Sequence, residues 1–258
     1  MKETAFEPDG WECRLRVGLL VPDADIGPES EWSALTPPGM LLNVSRFRFP
    51  IAPVVAEGDV IAMDTVDFVA NPGPLEAAIK LLEPLPVDVF SLAFTSNSYV
   101  SDDDALVERL SPIVGGRPVV TTGQAFLAAA EHFNAKRVLH LDPPWFPPQL
   151  TAMGHKWLKA KGVNVARSET CTLPSGQRNM QPNLVHHWLC ETIKSRPEDN
   201  IDLVILGGNG FRTISAVRAV EEDTGVPVVT ANTALIWQTL RTVGRPTNQI
   251  ARYGRLFS

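Results

Sequence analysis

The sequence predicts an α/β protein made of two similar halves, and three observations carry that reading. Short apolar runs alternate with amphipathic stretches along the chain, the pattern of parallel sheets with helices on both faces. Pro118-Val119-Val120-Thr121 followed by GQAFLAAAEHF recurs as Pro227-Val228-Val229-Thr230 followed by NTALIWQTL. In the same order, VDVFSLAFTSNS from Val87 pairs with IDLVILGGNGFR from Ile201, and Arg16-Val17 pairs with Arg137-Val138. A repeat this long means a duplicated domain rather than a solenoid.

The apolar runs place strands at Leu15–Val21, Leu41–Phe47, Val87–Leu92, Val119–Thr121, Val138–Leu141, Val163–Ala166, Leu203–Leu206 and Val228–Thr230. Helical periodicity falls near 30–35, 74–82, 103–110, 124–133, 149–161, 183–195, 213–223 and 233–243. Ser101-Asp102-Asp103-Asp104 reads as a cap with acids in the first turn, where they complement the helix dipole. The expected division is a first domain of 15–117 with 231–258, and a second of 118–230.

Bulk properties narrow the function. A chain of 258 residues, 44% hydrophobic and 20% charged, has the composition of a globular protein with a buried core. A net charge of −6 argues against a nucleic-acid partner. No apolar run reaches membrane-spanning length, and the N-terminus lacks the basic and apolar regions of a signal peptide. Cys13, Cys171 and Cys190 are odd in number and scattered, which suits a reducing compartment. The expectation is a cytoplasmic protein with neither nucleic acid nor membrane as partner, and with helix faces that permit a homo-oligomer.

Two α/β halves facing each other make a cleft lined by the carboxyl ends of their strands. The turns pair as Pro22–Gly27 with Asp142–Trp145, Phe94–Ser98 with Gly208–Arg212, and Thr122–Gln124 with Ala231–Thr233. Thr95 and Ser96 offer hydroxyls and amides to a carboxylate or a developing oxyanion, or cap a helix. Gly207-Gly208-Asn209-Gly210 lacks the Lys-Ser/Thr of a P-loop and the spacing of a dinucleotide fingerprint, so a nucleotide site is not expected. Its glycines allow backbone amides to approach a small anion. Arg212 is either a carboxylate clamp or a solvated side chain, and Asn232 either a helix cap or a ligand contact.

Asp25 and Asp142 stand at strand ends as candidate acids or bases, with turn formation as the competing role. His140 lies inside a strand and reads as a packed residue. The adjacent His186 and His187 point in different directions and do not form a metal pair. None of the cysteines falls at a cleft turn, so all three read as structural.

Taken together, VGLLVPDADIGPESEW…LTPPG, TSNS, GVPVVTANTALIWQTLR and ARYGRLF resemble the maleate isomerase and arylmalonate decarboxylase branch of the aspartate/glutamate racemase superfamily. The resemblance runs over nearly the whole chain. It implies two pseudo-symmetric, flavodoxin-like α/β domains with parallel sheets and the active site between them. It also implies cofactor-free chemistry on small carboxylates: racemisation, cis–trans isomerisation, or decarboxylation through an enediolate.

The family's two cysteine positions align with Phe94 and Gly208, so neither thiol is present. Neither Phe nor Gly can add to a double bond or return a proton to a carbanion. Thr95, Ser96 and Asn232 match the family's carboxylate-binding residues. Ala24-Asp25-Ile26 replaces a Ser-Asn-Thr turn, and Pro143-Pro144-Trp145 stands for Thr-Pro-Tyr, with Trp145 unable to donate as tyrosine does. The expectation is a decarboxylase- or isomerase-like enzyme using no cofactor. Asp25 or Asp142 would transfer the proton, and Thr95, Ser96, Gly208, Asn209, Asn232 and Trp145 would hold a small carboxylate substrate. Two alternatives stand beside it: metal-assisted chemistry around an acid and His140, without a compact ligand motif, and a carboxylate-binding protein without catalysis.

Overall fold

The computed structural model describes residues 13–49, 60–63 and 72–258. The first half contains β1 (Leu15–Pro22), α1 (Gly27–Leu35), β2 (Met40–Phe47), α2 (Pro74–Leu82), β3 (Val89–Leu92), α3 (Thr95–Val100), α4 (Asp103–Leu110) and β4 (Val119–Thr121). The second continues through α5 (Thr122–His132), β5 (Val138–Asp142), α6 (Pro148–Ala160), β6 (Val165–Thr170), α7 (Pro182–Lys194), β7 (Leu203–Leu206), α8 (Ile214–Thr224) and β8 (Val228–Thr230). The last helix is α9 (Ala231–Thr242), followed by short 3-10 turns at Asn248–Tyr253 and Arg255–Phe257.

The described residues form two four-stranded parallel sheets, ordered β2-β1-β3-β4 and β6-β5-β7-β8. The strand order is the same in both, as the internal repeat requires. The repeat extends to the helix starts. Thr121 caps α5 by accepting the Gln124 amide at 3.1 Å, and Thr230 caps α9 by accepting the Thr233 amide at 3.2 Å. Each cap satisfies a backbone donor left orphaned at the helix start.

Several boundaries differ from expectation. Val119–Thr121 pairs with β3 and completes the first sheet, so the division at residue 118 cuts a strand away from its partners. Helix α9 packs against β3 and β4, with Ser91 and Thr239 hydroxyls 2.7 Å apart, which puts it with the first sheet. The end of the chain docks elsewhere: the Arg255 amide and guanidinium bind Glu221 of α8. Strand β6 runs to Thr170 rather than stopping at 166, an edge strand whose polar face hid it from an apolar-run reading. A register shift at Val138/Leu139 offsets its start. Helix α3 begins inside the TSNS turn, and Asp102 rather than Ser101 caps α4.

The inner strands of both sheets are buried on their two faces, whereas the edge strands β2 and β6 are partly exposed. Strands such as Leu203-Val204-Ile205-Leu206 are apolar throughout because no face meets water. Helices α5 and α9, which follow equivalent strands, pack on each other and join the halves. Phe126, Ala234, Leu235 and Trp237 belong to that shared core, each large apolar side chain contributing about 1.5–3 kcal/mol by burial. Among the described residues, no helix is long and apolar enough to cross a membrane.

Candidate active site

The two halves meet at the carboxyl ends of β1, β3, β5 and β7. There a narrow pocket is lined by Asp25, Thr95, Ser96, Gly208, Asn209 and Gly210 on its polar side. Its apolar wall comes from Phe49, Ile61, Phe94, Trp145 and Phe146. Six of the eight residues expected at the site therefore border one cavity: Asp25, Thr95, Ser96, Gly208, Asn209 and Trp145. Asp142 and Asn232 do not.

Asp25 is gripped from both halves. Gln177, buried in the loop after β6, donates its amide to Asp25 Oδ1 at 2.6 Å and accepts the Ile26 amide at 2.9 Å. Arg46 on β2 donates to the carbonyls of Pro22, Asp23 and Asp25 and pairs with Glu29 at 2.7 Å. Desolvation pushes the Asp25 carboxyl up to about 6, although the Gln177 amide and the Arg46 guanidinium both favour its charged form. Asp23 instead accepts the Phe49 amide at 3.0 Å, a turn-forming role.

The glycine-rich turn is shaped by what presses on it. Gly208 has φ of +80°, and a Cβ there would stand 2.6 Å from Pro143 Cγ. Gly210 leaves room for Asp25 and Gln177, since a Cβ would come within 2.9 Å of Asp25 Oδ1. Gly208, which the resemblance aligns with a family cysteine, thus has neither the backbone conformation nor the space for a side chain.

Asn209 crosses between the halves. Its Oδ1 accepts from the Thr95 amide at 2.9 Å, the Thr95 hydroxyl at 2.8 Å and the Thr122 hydroxyl at 3.2 Å. Its own amide donates to Asn232 Oδ1 at 3.1 Å. The Thr95 hydroxyl also lies 3.1 Å from the Gly208 amide, which donates to it. Thr95 is therefore already saturated by an acceptor with the character of a carboxylate oxygen. The Ser96 hydroxyl, by contrast, borders the pocket with no protein partner among the described residues.

Asn232 is not a cap, because Thr230 holds that place. Its amide donates to Glu31 Oε2 at 2.7 Å and to the Asn209 carbonyl at 2.9 Å. Glu31, on α1, carried no sequence signal. It accepts the amides of Thr213 at 2.5 Å and Ile214 at 3.0 Å, the free donors at the start of α8 in the other half. Burial nevertheless pushes its carboxyl up to about 7, against the opposing hydrogen bonds and the Arg212 charge. Arg212 itself is exposed and clamps nothing in the pocket.

Asp142 lies behind the pocket, fully buried. Tyr99 donates to its Oδ1 at 3.0 Å, and Tyr99 Oη lies 2.9 Å from His140 Nε2. Ser168 Oγ is 2.6 Å from His140 Nδ1, which extends the buried polar chain, while Asp142 Oδ2 is buried with no hydrogen-bond partner among the described residues. This chain holds His140 as a packed residue. The cysteines are equally remote: Cys171 is buried, its thiol pushed up to about 12 mainly by burial, and none of the three borders the pocket. Gln177 carried no sequence signal, and Phe49 and Ile61 lie outside the expected cleft turns.

Comparison with known proteins agrees with this fold. The family model described as arylmalonate decarboxylase matches residues 60–257. A curated maleate isomerase from Geobacillus stearothermophilus is 24% identical over 134 residues, a match spanning 52% of this chain and 52% of that protein. The structure of an alanine variant of the maleate isomerase Iso from Pseudomonas putida S16, with maleate, superposes with a TM-score of 0.79 at 22% identity. That superposition covers 95% of this chain and 97% of the other. A double mutant of arylmalonate decarboxylase in its liganded form gives 0.74 at 20% identity, covering 95% and 99%. The chain belongs to the arylmalonate decarboxylase family.

Proposed function

We propose that the protein is a cofactor-independent decarboxylase acting on a small malonate-type substrate with an apolar substituent, with Asp25 as the proton donor. The observation that carries this reading is the Asp25 carboxyl itself. It borders the pocket, its orientation is fixed by Gln177, and its affinity for a proton is raised. Its Oδ2 has no protein partner among the described residues and is free to face substrate.

In the proposed reaction one substrate carboxylate leaves as CO₂ and its bonding electrons remain on the α-carbon. The second carboxylate spreads that charge as an enediolate. Asp25 then delivers its proton to the α-carbon and regains one from solvent. The retained carboxylate takes the place of Asn209 Oδ1 on Thr95 and is held also by Ser96. Phe49, Ile61, Phe94, Trp145 and Phe146 receive the apolar substituent and desolvate the departing carboxylate. Asp142 and Asn232 position the turns and touch no substrate.

The Thr95–Asn209 contact favours a second reading, a carboxylate-binding protein without turnover in which the self-filled cradle opens only to ligand. Purified protein incubated with phenyl-substituted malonates, malonate and maleate separates the two. Release of CO₂ from the substituted malonates supports the decarboxylase. No product from any of them, with a rise in melting temperature on binding, leaves the binding reading in its place.

A further inference from the structure

Helices α7 and α8 pack side by side in the second half, and none of their residues borders the active-site pocket. His186 and Cys190, one helical turn apart, share a face of α7. Asp223 reaches the same point from the last turn of α8. His186 Nε2 lies 2.9 Å from Asp223 Oδ2 and 3.6 Å from Cys190 Sγ, and the three donor atoms all fall within 4.8 Å of one another.

This arrangement is not a nucleophilic relay. In a relay the thiol and the carboxylate engage opposite nitrogens of the imidazole, whereas here both approach Nε2. Burial, the largest influence on it, also pushes the Cys190 thiol up, away from the reactive range. Convergence of sulfur, nitrogen and oxygen on one point is what a tetrahedral cation requires. Bonds of about 2.3 Å to sulfur and 2.0–2.1 Å to nitrogen and oxygen place S···N about 3.6 Å and N···O about 3.3 Å apart. The observed S···N separation of 3.6 Å matches its edge, and the N···O separation of 2.9 Å is shorter than its edge, as a direct hydrogen bond would make it before an ion enters.

We propose that His186, Cys190 and Asp223 form a binding site for a thiophilic divalent cation of the zinc class, with water as the fourth ligand. Thiolate and imidazole select zinc or cobalt over magnesium or calcium. One thiolate and one carboxylate neutralise the divalent charge. As the metal–sulfur bond forms, the thiol proton leaves to solvent and the His186 ring carries its proton on Nδ1. Asp223 is exposed, which gives the ion a route in, while Cys190 is buried beneath it. The bound ion ties α7 to α8 and takes no part in the pocket chemistry.

The test is titration of the metal-free chain with cobalt(II) alone. The expected result is one ion per chain, with a thiolate-to-cobalt charge-transfer band and the intense visible absorption of a tetrahedral complex, both abolished by zinc. Cys190→Ser removes the charge-transfer band. His186→Ala and Asp223→Asn each weaken binding by at least about tenfold, and Cys13→Ser changes nothing. Asp223 is exposed, so its variant keeps the fold if the others do not. Absence of the band in wild type, its survival in Cys190→Ser, or binding indifferent to His186→Ala and Asp223→Asn overturns the proposal.

Discussion

Asn209 Oδ1 accepts both the amide and the hydroxyl of Thr95, at 2.9 and 2.8 Å, so one side chain closes the two facing strand-end turns on each other. Thr122 adds a third donor at 3.2 Å. The family resemblance assigns Thr95 to a substrate carboxylate, and Asn209 fills that place with an uncharged equivalent.

Removing the Asn209 side chain should open the cradle. In Asn209→Ala, three buried donors lose their acceptor, and stability falls by about 1–3 kcal/mol. Malonate should then raise the melting temperature of the variant more than that of wild type, because the ligand restores the missing acceptor and displaces nothing. Thermal unfolding across a malonate series reads both effects. Equal stabilisation of the two proteins would place carboxylate binding away from Thr95.

Glu31 makes stability depend on pH with a definite sign. Its carboxyl ionises near 4.5 when unfolded and at about 7 when folded. Between those values the folded protein keeps a proton that the unfolded chain releases, so its contribution is full below pH 4.5 and is lost as pH rises through 7. The loss is on the order of 3 kcal/mol. Glu31→Gln lacks this titration. Denaturant unfolding at a series of pH values should show the stability of wild type, relative to the variant, falling from acid to neutral, and a flat difference would contradict the assignment.

Restoring a thiol at Gly208 should fail. The left-handed backbone costs an L residue about 1–2 kcal/mol, and the new Cβ meets Pro143. Gly208→Cys is therefore expected to lower stability by at least that much, read from the denaturation midpoint. A variant as stable as wild type would mean that the turn accommodates a side chain after all.

Much of this architecture was legible in the sequence, and the reasons for the rest are physical. Parallel strands buried on both faces read as plain apolar runs, and the duplicated VVT segments carried their helix caps with them, so the two sheets were visible at once. Helix α3 was not, because Thr-Ser-Asn-Ser has weak helical preference and six residues leave no period to detect. Polar edge strand β6 showed no apolar run beyond its start. The pocket's polar wall could be named from the strand-end rule. Glu31 and Gln177 could not, because each acts across the halves on groups 182 and 152 positions away, and nothing local marks such a contact. Asp142 shared the strand-end signal with Asp25, but neighbouring Tyr99 and His140 hold its Oδ1 in a buried polar chain behind the pocket.

In the proposed reaction Asp25 supplies the proton, and the decisive measurement is the pH–rate profile of wild type beside Asp25→Asn. Asn preserves the acceptor for Gln177 and removes the acid. Wild-type turnover of a phenyl-substituted malonate should be constant below about pH 6 and fall tenfold per unit above it. Asp25→Asn should lose at least about a hundredfold at every pH. Turnover that rises through pH 6, or a folded Asp25→Asn with wild-type activity, would contradict it.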